Sequence, residues 1–160
     1  MKCATIIVAS FCLLWAASVF SDTTTQQKIV QVTTGVKFFK DSDTIAITEV
    51  KATSPDLKTG DKVTVKGRYI LSSRPKATLS LFATDTKGPG KQETLSEQKI
   101  DILAGQGEFE LSIILKYDGY LHITFYSIPE GKPIGGLYFG TAKQMEEIKD
   151  WKIQDWYTKE

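Results

Sequence analysis

Residues 62–72 read KVTVKGRYILS, and this stretch decides the fold class. Its residues form two alternating sets, one apolar or aromatic and one charged or hydroxylated: Val63, Val65, Tyr69 and Leu71 against Lys62, Thr64, Lys66 and Arg68. A period of two residues over eleven positions is typical of a β-strand with one face buried and one face in water.

The same alternation recurs on both sides of this stretch, with turn residues between the segments. The further segments lie at residues 44–53, 77–84, 97–103, 107–115, 120–127 and 135–141. Pro75 marks a predicted turn, Ala104-Gly105-Gln106 a predicted hairpin, and we expect a bulge near Glu49. No segment before residue 141 has a helical period, so the sequence predicts an all-β, antiparallel sandwich or small barrel of about seven strands.

Two segments resemble the immunoglobulin-like or fibronectin-type sandwich. They are the loop LKTGD at 57–61, which precedes the long strand at 63–71, and DGYLHI at 118–123, which is similar to the corner before the penultimate strand of such folds. The resemblance spans residues 45–141 and implies an immunoglobulin-like sandwich. It lacks the paired cysteines and core tryptophan of antibody domains, and a fold of this kind implies no particular function.

The chain begins with the pattern of a secretory signal peptide. Lys2 precedes an apolar run at residues 4–20, and a cleavage site ends at Ser21 or, in the alternative, three residues earlier at Ser18. We therefore predict four parts: a signal peptide at 1–21, an N-terminal arm at 22–44 with a possible edge strand, the β-domain at 45–141, and a helical tail at 142–160. The protein is expected to be exported, to the periplasm or outside the cell, with no membrane span after cleavage.

Cleavage removes both cysteines, Cys3 and Cys12, so the exported chain carries no disulfide and no thiolate metal site. It leaves 19 basic and 19 acidic side chains, and no run of five like charges occurs, which argues against nucleic acid as a partner. The chain contains no Asn and one His. The scarcity of His, Asn and Cys argues against general-base and nucleophilic catalysis. No cofactor is expected.

The C-terminal residues follow a different period. Ala142, Met145, Ile148 and Trp151 recur every three residues, which predicts one amphipathic helix over residues 141–157. The helix either caps the sandwich or docks on a partner, with Trp151 and Trp156 as candidate binding residues. Trp156 follows Trp151 by about 140° around a helix and is expected to be the more exposed.

The remaining candidate site residues lie on one strand and in one loop. Tyr120, His122 and Tyr126 share the outward face of the strand at 120–127 with Thr124, where aromatic rings can stack on a sugar or anchor a protein, unless the arm or tail covers them. We expect His122 to be a surface residue. Asp41 and Asp43 form a weak calcium candidate, because calcium prefers carboxylate oxygens.

These observations favour a non-catalytic binding or interaction module with a protein or carbohydrate partner at the cell envelope. Two alternatives stay open. One is an accessory subunit or small enzyme whose site the sequence does not reveal. The other is a carrier of an apolar ligand, which requires a closed cavity lined by Phe109, Ile113 and Phe125.

Overall fold

The computed structural model describes residues 26–85 and 96–157. The predicted signal peptide at 1–21 and most of the polar loop that follows residue 84 lie outside these ranges. The described residues are 60% strand and 10% helix. In chain order the strands are β1 (Lys28–Ile29), β2 (Thr33–Phe38), β3 (Thr44–Ala52), β4 (Lys62–Thr84), β5 (Lys99–Ile114), β6 (Tyr120–Ser127) and β7 (Pro133–Gly140). A 3₁₀ turn (Ser96–Gln98) precedes β5, and α1 (Ala142–Glu147) and α2 (Gln154–Tyr157) follow β7.

The seven strands of the described ranges belong to one antiparallel sheet that curls into a half-barrel. Its order is β1-β3-β4-β6-β7-β2, and β5 pairs with β4. The expected all-β, antiparallel architecture is confirmed. A sandwich of two separate sheets is not confirmed, because hydrogen-bonded pairing continues from β1 to β2.

β4 and β5 are long strands that bend together. β4 has 23 residues; its first half pairs with β3 and its second half with β6, while β5 runs along it from Ile114 to Lys99. The predicted turn at Pro75 and the predicted hairpin at residues 104–106 are therefore wrong. Both segments lie within continuous strands, where the register shifts between Leu71 and Lys76 and Gly105 adopts a φ of 108°. The bulge expected near Glu49 is present in β3.

The arm predicted at residues 22–44 contributes strands to both edges of the strand path. β1 pairs with β3, and β2 pairs with β7. β3 begins at Thr44, within the predicted arm.

We call the side of the sheet that holds the main core the inner face. The side chains that alternate inward on β3 to β7 fill it, including Val63, Leu79, Ile123, Phe125 and Phe139, each fully buried. The opposite side is the outer face. It carries a second, smaller cluster built around Tyr138, Met145, Ile148 and Ile153.

Two short helices, with residues 148–153 between them, replace the single helix predicted at the C-terminus. Thr141 caps the N-terminus of α1, with its side chain accepting from the Gln144 N–H, and Ile148 is the C-cap residue after Glu147. The break has a packing reason. Trp151 and Trp156 lie about 140° apart around a continuous helix, so one helix could not turn both toward the sheet, whereas the broken segment packs both against the second cluster.

Glycines on the outer face make room for this C-terminal segment (residues 142–157). A Cβ on Gly35 would collide with the sulfur of Met145, and one on Gly136 would lie 2.8 Å from the Tyr157 hydroxyl oxygen. The segment therefore packs directly on the strand backbone.

Among the described residues, none of the helices has the length and apolar character needed to span a bilayer.

Candidate functional site

An aromatic row crosses three adjacent strands on the outer face. Phe82 of β4 is the cross-strand partner of His122 of β6, and His122 is the partner of Tyr138 of β7. The ring centroids are 5.8 Å apart for the first pair and 4.9 Å for the second. Strand register alone places the three rings side by side, because side chains directly opposite in an antiparallel pair face the same side.

The row continues at both ends into other aromatic rings. Tyr126 meets Phe82 edge to face at 5.9 Å, and Trp151 meets Tyr138 at 5.7 Å. Trp151 also contacts Tyr120 at 5.2 Å and Trp156 at 6.2 Å. We call Phe82, Tyr120, His122, Tyr126, Tyr138, Trp151 and Trp156 the aromatic site. The five candidate binding residues of the sequence analysis all belong to it, and Phe82 and Tyr138 connect them.

His122 is not the free surface residue that its outward register suggested. Its side chain is half-buried between the rings of Phe82 and Tyr138, and its Nδ1 is 2.9 Å from the Thr124 hydroxyl. Burial lowers the pKa of His122 from 6.5 to about 4. The imidazole is therefore neutral at pH 7, and it is a weak general base there.

Hydroxyl groups gather beside the imidazole. The Thr124 hydroxyl is 3.3 Å from that of Tyr157, which lies in the space above Gly136. Burial, with a contribution from the Tyr157 hydroxyl, raises the pKa values of Tyr126 and Tyr138. The phenols stay protonated across the physiological range, so the group offers uncharged donors and acceptors.

The border of the aromatic site is partly open. Phe82, Tyr126, Trp151 and Trp156 are each half-buried, whereas Tyr138 is 2% exposed. The Tyr120 hydroxyl donates to the Glu147 carboxylate at 3.1 Å, which ties α1 to β6. Part of the outward face of β6 is therefore covered by the tail, the alternative that the sequence analysis left open. Trp156 is not left free on the surface, since it packs on Trp151.

Three residues near or in the aromatic site were missed from the sequence, and two of them carry a signal. Phe82 is a large apolar residue at an outward position between Ser80 and Thr84. Tyr138 stands between Leu137 and Phe139, so both faces of β7 are apolar. Both patterns indicate a strand that is covered on two sides. Tyr157 carries no such signal, because its position depends on the break in the tail.

The two calcium candidates differ in their surroundings, and Asp43 has a structural role. Asp43 is 1% exposed, and its carboxylate accepts hydrogen bonds from the backbone N–H groups of Ser72 and Ser73, at 2.6 and 2.9 Å, and from the Ser73 hydroxyl. It thereby holds the bend of β4. Asp41 is exposed and adopts a φ of 51° in the preceding turn. No group of three or more metal-ligating side chains occurs within the described ranges.

A concave surface lies on the outer face of the other half of the sheet. This open groove of about 550 Å³ is lined by residues of β3, β4 and β5, among them Ile70, Arg68 and Glu108. Arg68 and Glu108 form an exposed ion pair at 3.3 Å across it. The groove does not involve the residues named for an apolar carrier, since Phe109, Ile113 and Phe125 are buried in the main core.

Comparison of the chain with protein-family models, with curated proteins and with solved structures finds no significant match. The aromatic site is therefore interpreted from its own geometry and chemistry.

Proposed function

We propose that this chain is an exported, non-catalytic binding module and that the aromatic site is its contact surface. The observation that carries the proposal is the row Phe82–His122–Tyr138 with Tyr126 at its open end. Aromatic rings that are partly open to solvent supply large contact area at low conformational cost, which is why they are enriched in binding surfaces.

Export forms part of the proposal and rests on the leader at residues 1–21, as does a partner at the cell envelope, either a protein or a carbohydrate. The immunoglobulin-like relationship is likewise retained as a proposal, supported by the sequence pattern at 57–71 and 118–123. A binding role is preferred to catalysis because His122 pairs with a hydroxyl and has a pKa of about 4, which suits it poorly to proton transfer at neutral pH.

The test measures retention of the exported protein on envelope preparations from its own cells. The variant carries Phe82→Leu and Tyr126→Leu, which remove two rings and keep apolar volume. The matched control is Ile70→Ser, which removes an apolar side chain, 41% exposed, from the first half of the same strand. We expect retention of the native protein and the control, and its loss in the double variant.

Treatment of the envelope separates the two kinds of partner. Protease treatment abolishes retention if the partner is a protein, and periodate oxidation abolishes it if the partner is a carbohydrate. Undiminished retention of the double variant would place the contact surface elsewhere, and no retention of the native protein would refute the binding role.

A further inference from the structure

We infer that the free edge of β5 accepts one further strand, an extended segment of a partner protein with lysine or arginine at every second position. This surface is separate from the aromatic site, which lies on the second half of β4, on β6, on β7 and on the C-terminal segment. β5 has 16 residues and pairs with β4, which is its only strand partner in the described ranges. Its other edge there offers backbone N–H and C=O groups to an incoming strand.

The part of this edge that suits pairing is residues 106–114, which we call the edge segment. It follows Gly105, which lies at the register shift and has a φ of 108°. From Gln106 to Ile114 the register with β4 is unbroken. Nine residues of strand span about 30 Å. The edge segment is therefore long enough for a partner strand, since strands in proteins commonly have about five or six residues.

The outer face beside the edge segment is open to solvent. The side chains of Glu108 and Glu110 are 78% and 59% exposed, and Ile114 is 51% exposed. Gln106 and Glu108 also line the open groove of about 550 Å³. The outward side chains of an added strand therefore have space on this face.

Charge decides which kind of strand fits. One row of cross-strand partners alternates in sign from β3 to β5: Glu49, Lys66 and Glu110. The Lys66 Nζ lies 3.2 Å from the Glu110 carboxylate, and in the neighbouring row Arg68 lies 3.3 Å from Glu108. The outermost residue of both rows is acidic. The complementary residue on an added strand is therefore basic, because opposite charges directly across a strand pair are stabilising.

A second copy of this chain does not meet that requirement. Residues 100–114 contain three acidic residues and neither lysine nor arginine. Antiparallel pairing of two edge segments about their middle residue would place Glu110 opposite its own copy. Like charges directly opposite destabilise a strand pair, so the edge segment selects a basic partner over itself.

The test is a titration of the exported protein with the acetylated and amidated peptide KVKVKVKVK, and with EVEVEVEVE as the charge-reversed comparison. Calorimetry measures the affinity, and amide hydrogen exchange followed by NMR locates the contact. We expect the basic peptide to bind and to slow the exchange of backbone amides in the edge segment. The acidic peptide is expected not to bind.

Two methylated forms of the basic peptide separate strand addition from attraction by charge alone. One form carries an N-methyl group on every lysine and the other on every valine. In an extended strand these two sets of backbone N–H groups point to opposite edges, and only one set can face β5. We therefore expect one form to lose binding and the other to keep it. Equal affinities for the two forms would overturn the inference.

The decisive variant is Glu108→Gln with Glu110→Gln, which removes both charges and keeps the shape of the side chains. We expect about a tenfold lower affinity for the basic peptide. The unfolding midpoint should stay near the native value, because exposed ion pairs contribute little to stability. The matched control is Glu146→Gln with Asp150→Asn, which removes two exposed carboxylates from the C-terminal segment and should keep the native affinity.

Three results would each overturn the inference: no binding of the basic peptide, native affinity in the Glu108 and Glu110 variant, or an equal loss in the control. Sedimentation of the protein alone tests the other occupant, because self-association that protects the edge segment would assign this edge to a second copy. Failure here is distinguishable from failure of the proposed function. The aromatic-site variant, Phe82→Leu with Tyr126→Leu, should lose envelope retention and still bind the basic peptide.

Discussion

The ring of Phe109 lies over the backbone of Gly67, its cross-strand partner on β4. A Cβ on Gly67 would be 2.5 Å from the Cζ of Phe109 and 2.5 Å from the Ala46 carbonyl oxygen. Two residues farther along, the arrangement is reversed: the aromatic ring, Tyr69, is on β4 and the glycine, Gly107, is on β5. Aromatic rings covering cross-strand glycines allow β4 and β5 to curl tightly while their inner face stays filled.

This arrangement predicts different outcomes for two Gly→Ala changes. Both should lower the free energy of unfolding by about 1–3 kcal/mol through overpacking. At Gly107 the nearest atoms belong to the Tyr69 side chain alone, so adding Tyr69→Ala should remove most of the effect of Gly107→Ala. At Gly67 the Ala46 carbonyl remains in the way, so adding Phe109→Ala should not.

Urea unfolding of the single and double variants measures these couplings. If removing the aromatic ring reduced the destabilisation equally at Gly67 and at Gly107, the proposed geometry would be contradicted.

The bend of β4 should depend on Asp43 and be indifferent to calcium. Asp43→Ala leaves the Ser72 and Ser73 amides without their acceptor and should cost about 2–4 kcal/mol of unfolding free energy. Asp41→Asn, at an exposed position that tolerates a positive φ, should change it by less than about 0.5 kcal/mol. Thermal unfolding with calcium or with a chelator checks the indifference to calcium, and a calcium-dependent midpoint would contradict it and support a metal site at Asp41 and Asp43.

The C-terminal segment should be an integral part of the fold. Ile148 belongs to this segment and is fully buried in the second cluster, so Ile148→Ala should lower the unfolding free energy by about 2–4 kcal/mol. The neighbouring exposed Lys149→Ala should have little effect. Iodide quenching of Trp151→Phe and Trp156→Phe, after leader removal, checks the docking, because each variant retains one tryptophan. If the remaining tryptophan of each variant were quenched as strongly as free tryptophan in water, the segment would not be docked.

His122 should make stability depend on pH between about 6.5 and 4. In the unfolded chain its pKa is near 6.5, and in the folded chain burial lowers the pKa to about 4. As the pH falls through this window the unfolded chain takes up a proton that the folded chain refuses. The unfolding free energy therefore decreases by up to about 3 kcal/mol as the pH falls from 6.5 to 4. Above pH 6.5 the contribution of His122 to stability is fully retained.

The comparison is with His122→Gln, which keeps the carboxylates common to both proteins and removes the imidazole. The stability difference between the two proteins should shift over pH 6.5–4 and be constant above that range. An NMR titration of His122 with a midpoint near 6.5 would contradict the buried environment.

Periodicity alone was enough to identify the extended segments, though not where β4 and β5 begin and end, and to assign their side chains to the two faces. The outward set Tyr120, His122 and Tyr126 is correct because alternation is a local property of an extended chain. The bulge in β3 and the apolar inner face follow from the same pattern. None of this required knowledge of which strands pair.

The pairing of the strands, the curl of the sheet and the covering of its outer face by the C-terminal segment were decided only by the tertiary structure. Pro75 and Gly105 are compatible with a turn or with a bend, and pairing along β4 selects the bend because both halves of β5 find their partners there. The three-residue spacing of the tail is compatible with one helix. It breaks because Trp151, Trp156 and Tyr157 all pack against the second cluster, whereas a continuous helix would point them in different directions. The aromatic site arises from these long-range contacts, since it joins strands and a tail that are distant in the sequence.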